Sequence, residues 1–146
     1  MRRLTLALAT VLTLAAAPAA DARDTRHQFD IATAIAAGKA DGTLDGSVQF
    51  HFKGARAPAV ASRLGPARTN KKTNAFGKSD ATACQWVFLG ALKALQEAAK
   101  ERGANAVVDI ESNYKNQVFT SATQYQCGAG GLMAGVALNG VYAKVK

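Results

Sequence analysis

The longest regular pattern of apolar positions in the chain runs from Cys84 to Ala99. Apolar side chains recur there every three or four residues, at Cys84, Phe88, Ala91, Leu92, Leu95, Ala98 and Ala99. This spacing puts them on one face of an α-helix. Ser79 or Asp80 can cap its start, and Gly103 can follow its end. The pattern predicts one long amphipathic helix of about six turns at 3.6 residues per turn.

A shorter helical pattern lies nearer the start of the chain. Ile31 and Ile35 are four residues apart, and Gly38 follows them. This spacing predicts a short N-terminal helix. The polar residues 23–26 are expected to be loosely held.

Two segments, 47–53 and 104–112, alternate between apolar and polar residues, which predicts half-buried strands. One face of the first carries Val48, Phe50 and Phe52. In the second, the inward face is expected to carry Ala106, Val108 and Ile110, and the outward face Asp109 and Glu111. The polar segment 67–74 is expected to form either an edge strand or an extended loop.

Further strands are predicted towards the C-terminus. Segment 118–127 is expected to carry Phe119, Tyr125 and Cys127 on one face, beneath the long helix. After a glycine-rich turn at 128–131, the core face of a last strand carries Leu132, Ala134, Val136 and Leu138. Beyond Gly140, the apolar residues Val141, Ala143 and Val145 change parity. A bulge at Gly140 would return them to the core, and a hairpin at Asn139-Gly140 is the alternative.

These elements predict an α+β fold, in which one long amphipathic helix packs on a small, mainly antiparallel sheet, with a short N-terminal helix. Residues 1–22 have a different character: Met1-Arg2-Arg3, an apolar run and the small residues Ala20-Asp21-Ala22. This order is typical of a signal peptide. We therefore expect export to the periplasm or beyond, followed by a single domain over 23–146. No later segment approaches the roughly 20 apolar residues of a transmembrane helix.

Charge adds a possible binding surface. The formal net charge is +8, and the segment from Lys53 to Lys78 contains no Asp or Glu. Its cations are Lys53, Arg56, Arg63, Arg68, Lys71, Lys72 and Lys78. Such a patch favours an anionic envelope component as a ligand. Nucleic acid is not expected, because Phe76 is the only aromatic residue in the segment. The alternative is a solvated surface that maintains solubility.

The chain has two cysteines, Cys84 and Cys127. In an exported protein, such a pair predicts a disulfide. A metal or redox pair is the alternative, although the chain has no C-x-x-C and neither cysteine has a nearby histidine.

Catalytic motifs are few. Gly77-Lys78-Ser79 is the end of a P-loop, but Lys72 stands where the first glycine belongs. A turn glycine followed by a helix cap explains it better. Asp109, Glu111 and His51 are weak candidates for a metal site or for acid–base chemistry. No cofactor is expected. Trp86 lies off the apolar stripe and is expected either to cover a second element, such as the N-terminal helix, or to mark a partner surface.

Four motifs resemble a family of small exported proteobacterial proteins commonly labelled as an excinuclease ATPase subunit. They are Asn70–Asp80, Ala83–Trp86, Gly103–Val108 and Tyr125–Gly130. The long helix and the segment after it are also similar, more distantly, to the YbjQ-type heavy-metal-binding proteins and to the sensor lipoprotein of the Rcs envelope-stress system. Those resemblances imply a helix packed on a small antiparallel sheet, with roles in assembly or envelope sensing. A DNA-repair ATPase would need a complete P-loop and a cytosolic location, so we do not expect that activity.

The sequence therefore predicts an exported, disulfide-stabilised, non-catalytic protein that binds or assembles with an anionic envelope component or a protein partner. The alternative is a periplasmic metal-binding protein or an enzyme that uses Asp109, Glu111 and His51.

Overall fold

The fold was analysed in a computed structural model, which describes residues 23–146. The predicted signal peptide, 1–22, lies outside these residues. Two helices, α1 (Ile31–Ala40) and α2 (Asp80–Glu101), accompany a short 3₁₀ turn at Tyr114–Asn116. The strands are β1 (Thr25–Asp30), β2 (Gln49–Phe52), β3 (Val60–Asn74), β4 (Ala106–Ser112), β5 (Gln124–Ala129) and β6 (Met133–Val145). The α+β fold class is confirmed. No helix in 23–146 has the length and apolar character needed to cross a membrane.

Strand β6 organises the sheet. Along one side it pairs antiparallel with β3, from Val60 opposite Val145 to Asn74 opposite Met133. Its other side is shared by β5 and β4, both antiparallel. Strand β1 extends the sheet beyond β5, and β2 runs parallel to β4. Among the strands of residues 23–146, β6 is the one partner of β3, so β3 forms an edge strand.

Helix α2 begins and ends at local capping signals. The Ser79 hydroxyl accepts a hydrogen bond from the Thr82 amide at 3.1 Å, as an N-cap residue does. At the other end, Gly103 follows the C-cap with φ of +69°, a conformation that glycine adopts without strain. The buried face of α2 packs on core residues of the sheet: Val107, Ile110, Tyr125, Val136 and Leu138.

The disulfide between Cys84 and Cys127 is confirmed. It joins α2 to β5 across a Cα–Cα distance of 5.8 Å, within the range typical of disulfides. Both cysteines are completely buried. The bond therefore covalently links the helix to the sheet inside the core.

Strand β4 departs from the predicted alternation. Val107 and Ile110 face the main core, whereas Ala106 and Val108 join a second cluster with Ala143 and Val145. Asp109 has φ of +53°, and the register of β4 against β6 shifts there by one residue. The prediction that Ala106, Val108 and Ile110 share a face is therefore wrong, because this bulge reverses the parity.

The hairpin considered at Gly140 is wrong, because β6 continues unbroken from Met133 to Val145. The bulge there is wrong as well, because β6 keeps one register against β3 from Met133 to Val141. The parity change is real, but it directs Ala143 and Val145 into the second cluster. A Cβ atom at position 140 would lie 3.0 Å from the Val108 carbonyl oxygen. Glycine there lets β4 and β6 approach closely.

Several surface assignments also change. Residues 25 and 26 begin strand β1 and are not a loose end. Phe119 forms an isolated bridge with Ser112 and lies outside the core beneath α2. Leu132 is exposed. Trp86 is 66% exposed, so the prediction that it covers a second element is wrong. Helix α1 instead approaches α2 where Gly38 meets Leu89, which leaves Trp86 uncovered.

Candidate anion-binding surface

The structure divides the seven predicted cations into two groups. Lys53 pairs with Glu111 at 3.7 Å, and Arg63 pairs with Asp109 at 3.1 Å. Within residues 23–146, the others have no carboxylate within 4.0 Å: Arg56, Arg68, Lys71, Lys72 and Lys78. The charge of this second group is available to an external anion.

Strand β3 sorts its cations onto two faces. Residues directly opposite each other in an antiparallel pair share a face. Lys71 is opposite Val136, a core residue, so it lies on the face of the sheet that packs against α2, with its own side chain exposed at the sheet edge. Arg68 is opposite Asn139 and Lys72 is opposite Gly135, which puts both on the other face. On that face Arg68 lies beside asparagine side chains.

A polar groove of about 270 Å³ opens on this face between β3, β6 and the 3₁₀ turn. Its polar side chains are Arg68, Asn70, Asn113, Lys115, Asn116 and Asn139. Guanidinium and amide N–H groups are donors that suit the oxygens of phosphate or carboxylate. The groove therefore has the chemistry of an oxyanion site.

The 3₁₀ turn is held over the sheet by Tyr114. Its ring packs where Gly128 pairs with Gly135, and a Cβ at position 128 would lie 2.2 Å from that ring. The Tyr114 hydroxyl donates to the Asp24 carboxylate at 2.9 Å. Burial and this carboxylate raise the pKa of Tyr114. These contacts anchor the turn that completes the groove.

The backbone of this turn is unusual. Lys115 and Asn116 both have positive φ, 51° and 59°. Residues other than glycine occupy that region at an energetic cost, and such strain is often found at functional sites. The alternating patterns predict strands over 104–112 and 118–127, and nothing in them indicates that the turn between these strands forms a groove with β3. The available signal was the cluster of Asn113, Asn116 and Gln117.

The candidate acid–base and metal residues are held in separate contacts. Asp109 faces Arg63, and Glu111 accepts a hydrogen bond from Thr120 at 3.0 Å. The His51 imidazole contacts the Gln49 side chain at 2.8 Å, and burial lowers its pKa. No group of three or more His, Cys, Asp or Glu side chains within 23–146 could hold a metal ion.

Lys78 does not face a phosphate-binding loop. Its ammonium group donates to the Asn74 carbonyl at 3.0 Å and lies 5.6 Å from the centre of the Trp86 ring. Gly77 has φ of +73°, as a turn glycine does. The segment therefore forms the turn that connects β3 to α2.

Asp80, at the start of α2, is the centre of a second polar cluster. Its carboxylate accepts hydrogen bonds from Arg23 at 2.8 and 3.0 Å and contacts the His27 imidazole at 2.8 Å. Arg23 and then His27 lower the pKa of Asp80 to about 2. The cluster fastens the first described residues to the helix N-terminus, where a negative charge is favourable.

Comparisons with known proteins add no family assignment. No protein-family model matches the chain, and no curated protein matches it significantly. The resemblance to exported proteobacterial proteins thus remains a prediction.

Proposed function

We propose that this chain is an exported, disulfide-stabilised, non-catalytic protein of the bacterial envelope that binds an anionic component. The observation that carries the proposal is the division of the cations: Arg68 and Lys72 lie on one face of an edge strand with no carboxylate partner among the described residues. An external oxyanion would supply the missing counter-charge.

The groove would determine how that anion binds. Arg68 can hold two oxygens of a phosphate or carboxylate at once, and the amides of Asn70 and Asn139 can donate to the remaining oxygens. In this proposal the long helix α2, the short helix α1 and the mainly antiparallel sheet act as the rigid support. The buried disulfide keeps that support folded in an oxidising compartment outside the cytoplasm.

Lysines on an edge strand have another use, because they discourage pairing with the edge of a second sheet. That role explains Lys71 and Lys72 but not a cationic groove lined by four asparagines. The alternative metal-binding or enzymatic function has no comparable support. Asp109 and Glu111, two of its three candidate residues, each face a cation of the same chain.

Binding is tested by titration calorimetry with a soluble polyanion, dextran sulfate, at low and moderate salt. We expect Arg68→Gln with Lys72→Gln to weaken binding at least tenfold and to flatten its salt dependence, because fewer counterions are released. Lys53→Gln with Arg63→Gln removes the same charge from cations that already have carboxylate partners. Equal losses in both double variants would contradict a specific surface.

Export is tested on the full chain expressed in a proteobacterium. We expect the periplasmic fraction to contain protein that begins at Arg23 and carries the Cys84–Cys127 bond. Mass spectrometry without reductant measures both at once. Uncleaved protein confined to the cytosol would contradict the proposed location.

A further inference from the structure

Two adjacent turns form an apolar tip at one end of the sheet, which consists of Phe76, Leu132 and Met133. These side chains are 73%, 67% and 49% exposed. Phe76 follows β3, whereas Leu132 immediately precedes β6 and Met133 is its first residue. The Ala75 amide donates to the Leu132 carbonyl at 2.8 Å, which ties the two turns together. Apolar side chains that share one exposed site usually mark an interaction surface.

Cations that have no carboxylate partner in the described part of the chain surround this tip. Lys72 lines the same small hollow as Met133. Asn74 is the residue of β3 that pairs with Met133 of the tip. Lys71 and Lys72 precede Asn74 by three and two residues, so they lie roughly 10 and 7 Å from it along the strand. Lys78 is two residues after Phe76. All three therefore lie about one Debye length or less from the tip, and their charge acts on whatever the tip contacts.

Negative charge near the tip is already neutralised. Among residues 23–146, the groove beside Leu132 and Met133 contains one carboxylate, Asp24, which is held by Tyr114 and Lys115. Asp80 at the start of α2 is held by Arg23 and His27. The net character of this end is thus apolar at the centre and positive around it.

We propose that the apolar tip docks this protein on an anionic phospholipid bilayer, with Phe76, Leu132 and Met133 entering the headgroup region. Lys71, Lys72 and Lys78 then lie among the lipid phosphates. This inference rests on the proposed anion-binding function, shares Lys72 with the face that carries it, and names an anionic lipid layer as the ligand. A bilayer fits better than a protein partner, because cations around exposed apolar side chains match a layer that is negative outside and apolar within.

The test is flotation of the mature protein with vesicles. We expect it to float with vesicles containing phosphatidylglycerol and not with vesicles of phosphatidylcholine alone. Phe76→Ser with Leu132→Ser should weaken that binding roughly tenfold or more, and Lys71→Gln with Lys72→Gln about 25-fold, at roughly fivefold per lysine. Val118→Ser changes an apolar residue outside the tip that is also exposed, and Lys39→Gln removes a cation from α1. Both controls should bind as the unchanged protein does.

A spectroscopic arm reports on insertion itself. Trp86 is the only tryptophan in the chain. Replacing it by Phe and changing Phe76→Trp moves the single indole into the tip. Its emission should shift to shorter wavelength with phosphatidylglycerol vesicles. The matched probe, Trp86→Phe with Val118→Trp, should show no shift. Equal shifts for both probes, or none for either, would overturn the proposed orientation.

The outcomes separate the two proposals. Dextran sulfate binding without vesicle binding would leave the anion-binding function standing and overturn the bilayer as its ligand. Loss of both would overturn both. Sedimentation velocity tests whether a second copy of this chain occupies the tip instead. A dimer that dissociates in the variant Phe76→Ser with Leu132→Ser would assign the tip to self-association and overturn membrane docking.

Discussion

Phe88 of α2 and Tyr125 of β5 lie face to face, with ring centroids 3.7 Å apart and planes inclined by 2°. Cys84 is four residues before Phe88, and Cys127 is two residues after Tyr125. Four helical residues rise about 6 Å and two strand residues about 7 Å. The disulfide and the stacked rings are therefore two successive contacts of one interface between α2 and β5. They fit together because the spacing between the contacts is nearly the same along the helix as along the strand.

Removing the disulfide should lower stability strongly. The bond closes a separation of 43 residues, for which the chain-entropy relation gives about 2 to 4 kcal/mol once native strain is allowed for. We expect Cys84→Ala with Cys127→Ala to lower Tm by about 10 °C or more. Thermal unfolding followed by circular dichroism measures this change in Tm. The variant should no longer respond to reductant, whereas the unchanged protein should lose a comparable amount on reduction.

The stacked rings should be energetically coupled. We expect a double-mutant cycle with Phe88→Leu and Tyr125→Leu to give a coupling of about 0.5 to 1.5 kcal/mol from urea unfolding. Phe52 provides the control pair, since its ring lies 6.1 Å from that of Phe88 and is tilted by 44°. A larger coupling between Phe52 and Phe88 would show that the close stack contributes no more than general packing.

Glycine at position 128 should be required by its neighbour. An added methyl group would meet the Tyr114 ring at 2.2 Å, so we expect Gly128→Ala to cost about 1 to 3 kcal/mol. Tyr114→Ala should rescue part of that loss in the double variant. Gly131→Ala is the matched control, because no atom of the described residues lies within 4 Å of its Cβ position. Unfolding in urea compares the four proteins.

Acid should weaken the attachment of β1 to α2. The pKa of Asp80 is about 2 in the folded protein, against its usual 3.8. A carboxyl group with a lowered pKa stabilises the fold above its unfolded pKa and loses that effect as pH falls through the folded value. We expect a loss of Tm between about pH 4 and pH 2 that is smaller in Asp80→Asn and in Arg23→Gln. Lys39→Gln should keep the full slope. Parallel curves for all four proteins would contradict the role of Asp80.

Local signals carried much of the prediction. The fold class followed from two helical and several alternating patterns, and the disulfide followed from the only two cysteines in the chain. Ser79 and Gly103 stand at the ends of α2 because capping depends on the residues of one turn. Alternation failed in β4, where a single residue in a bulge reversed the faces.

By itself, then, the sequence determined the α+β class and the cysteine pairing, since these depend on short-range periodicity and on residue identity. Only the tertiary structure decided which residues remain uncovered. The register of β3 against β6 put Arg68 and Lys72 on one face of the sheet and Lys71 on the other. A hydrogen bond from the Ala75 amide to the Leu132 carbonyl brought the turn that carries Phe76 beside Leu132. Exposure of Trp86 likewise depended on where α1 packs against α2. Each outcome is set by pairing between distant segments, which no local pattern encodes.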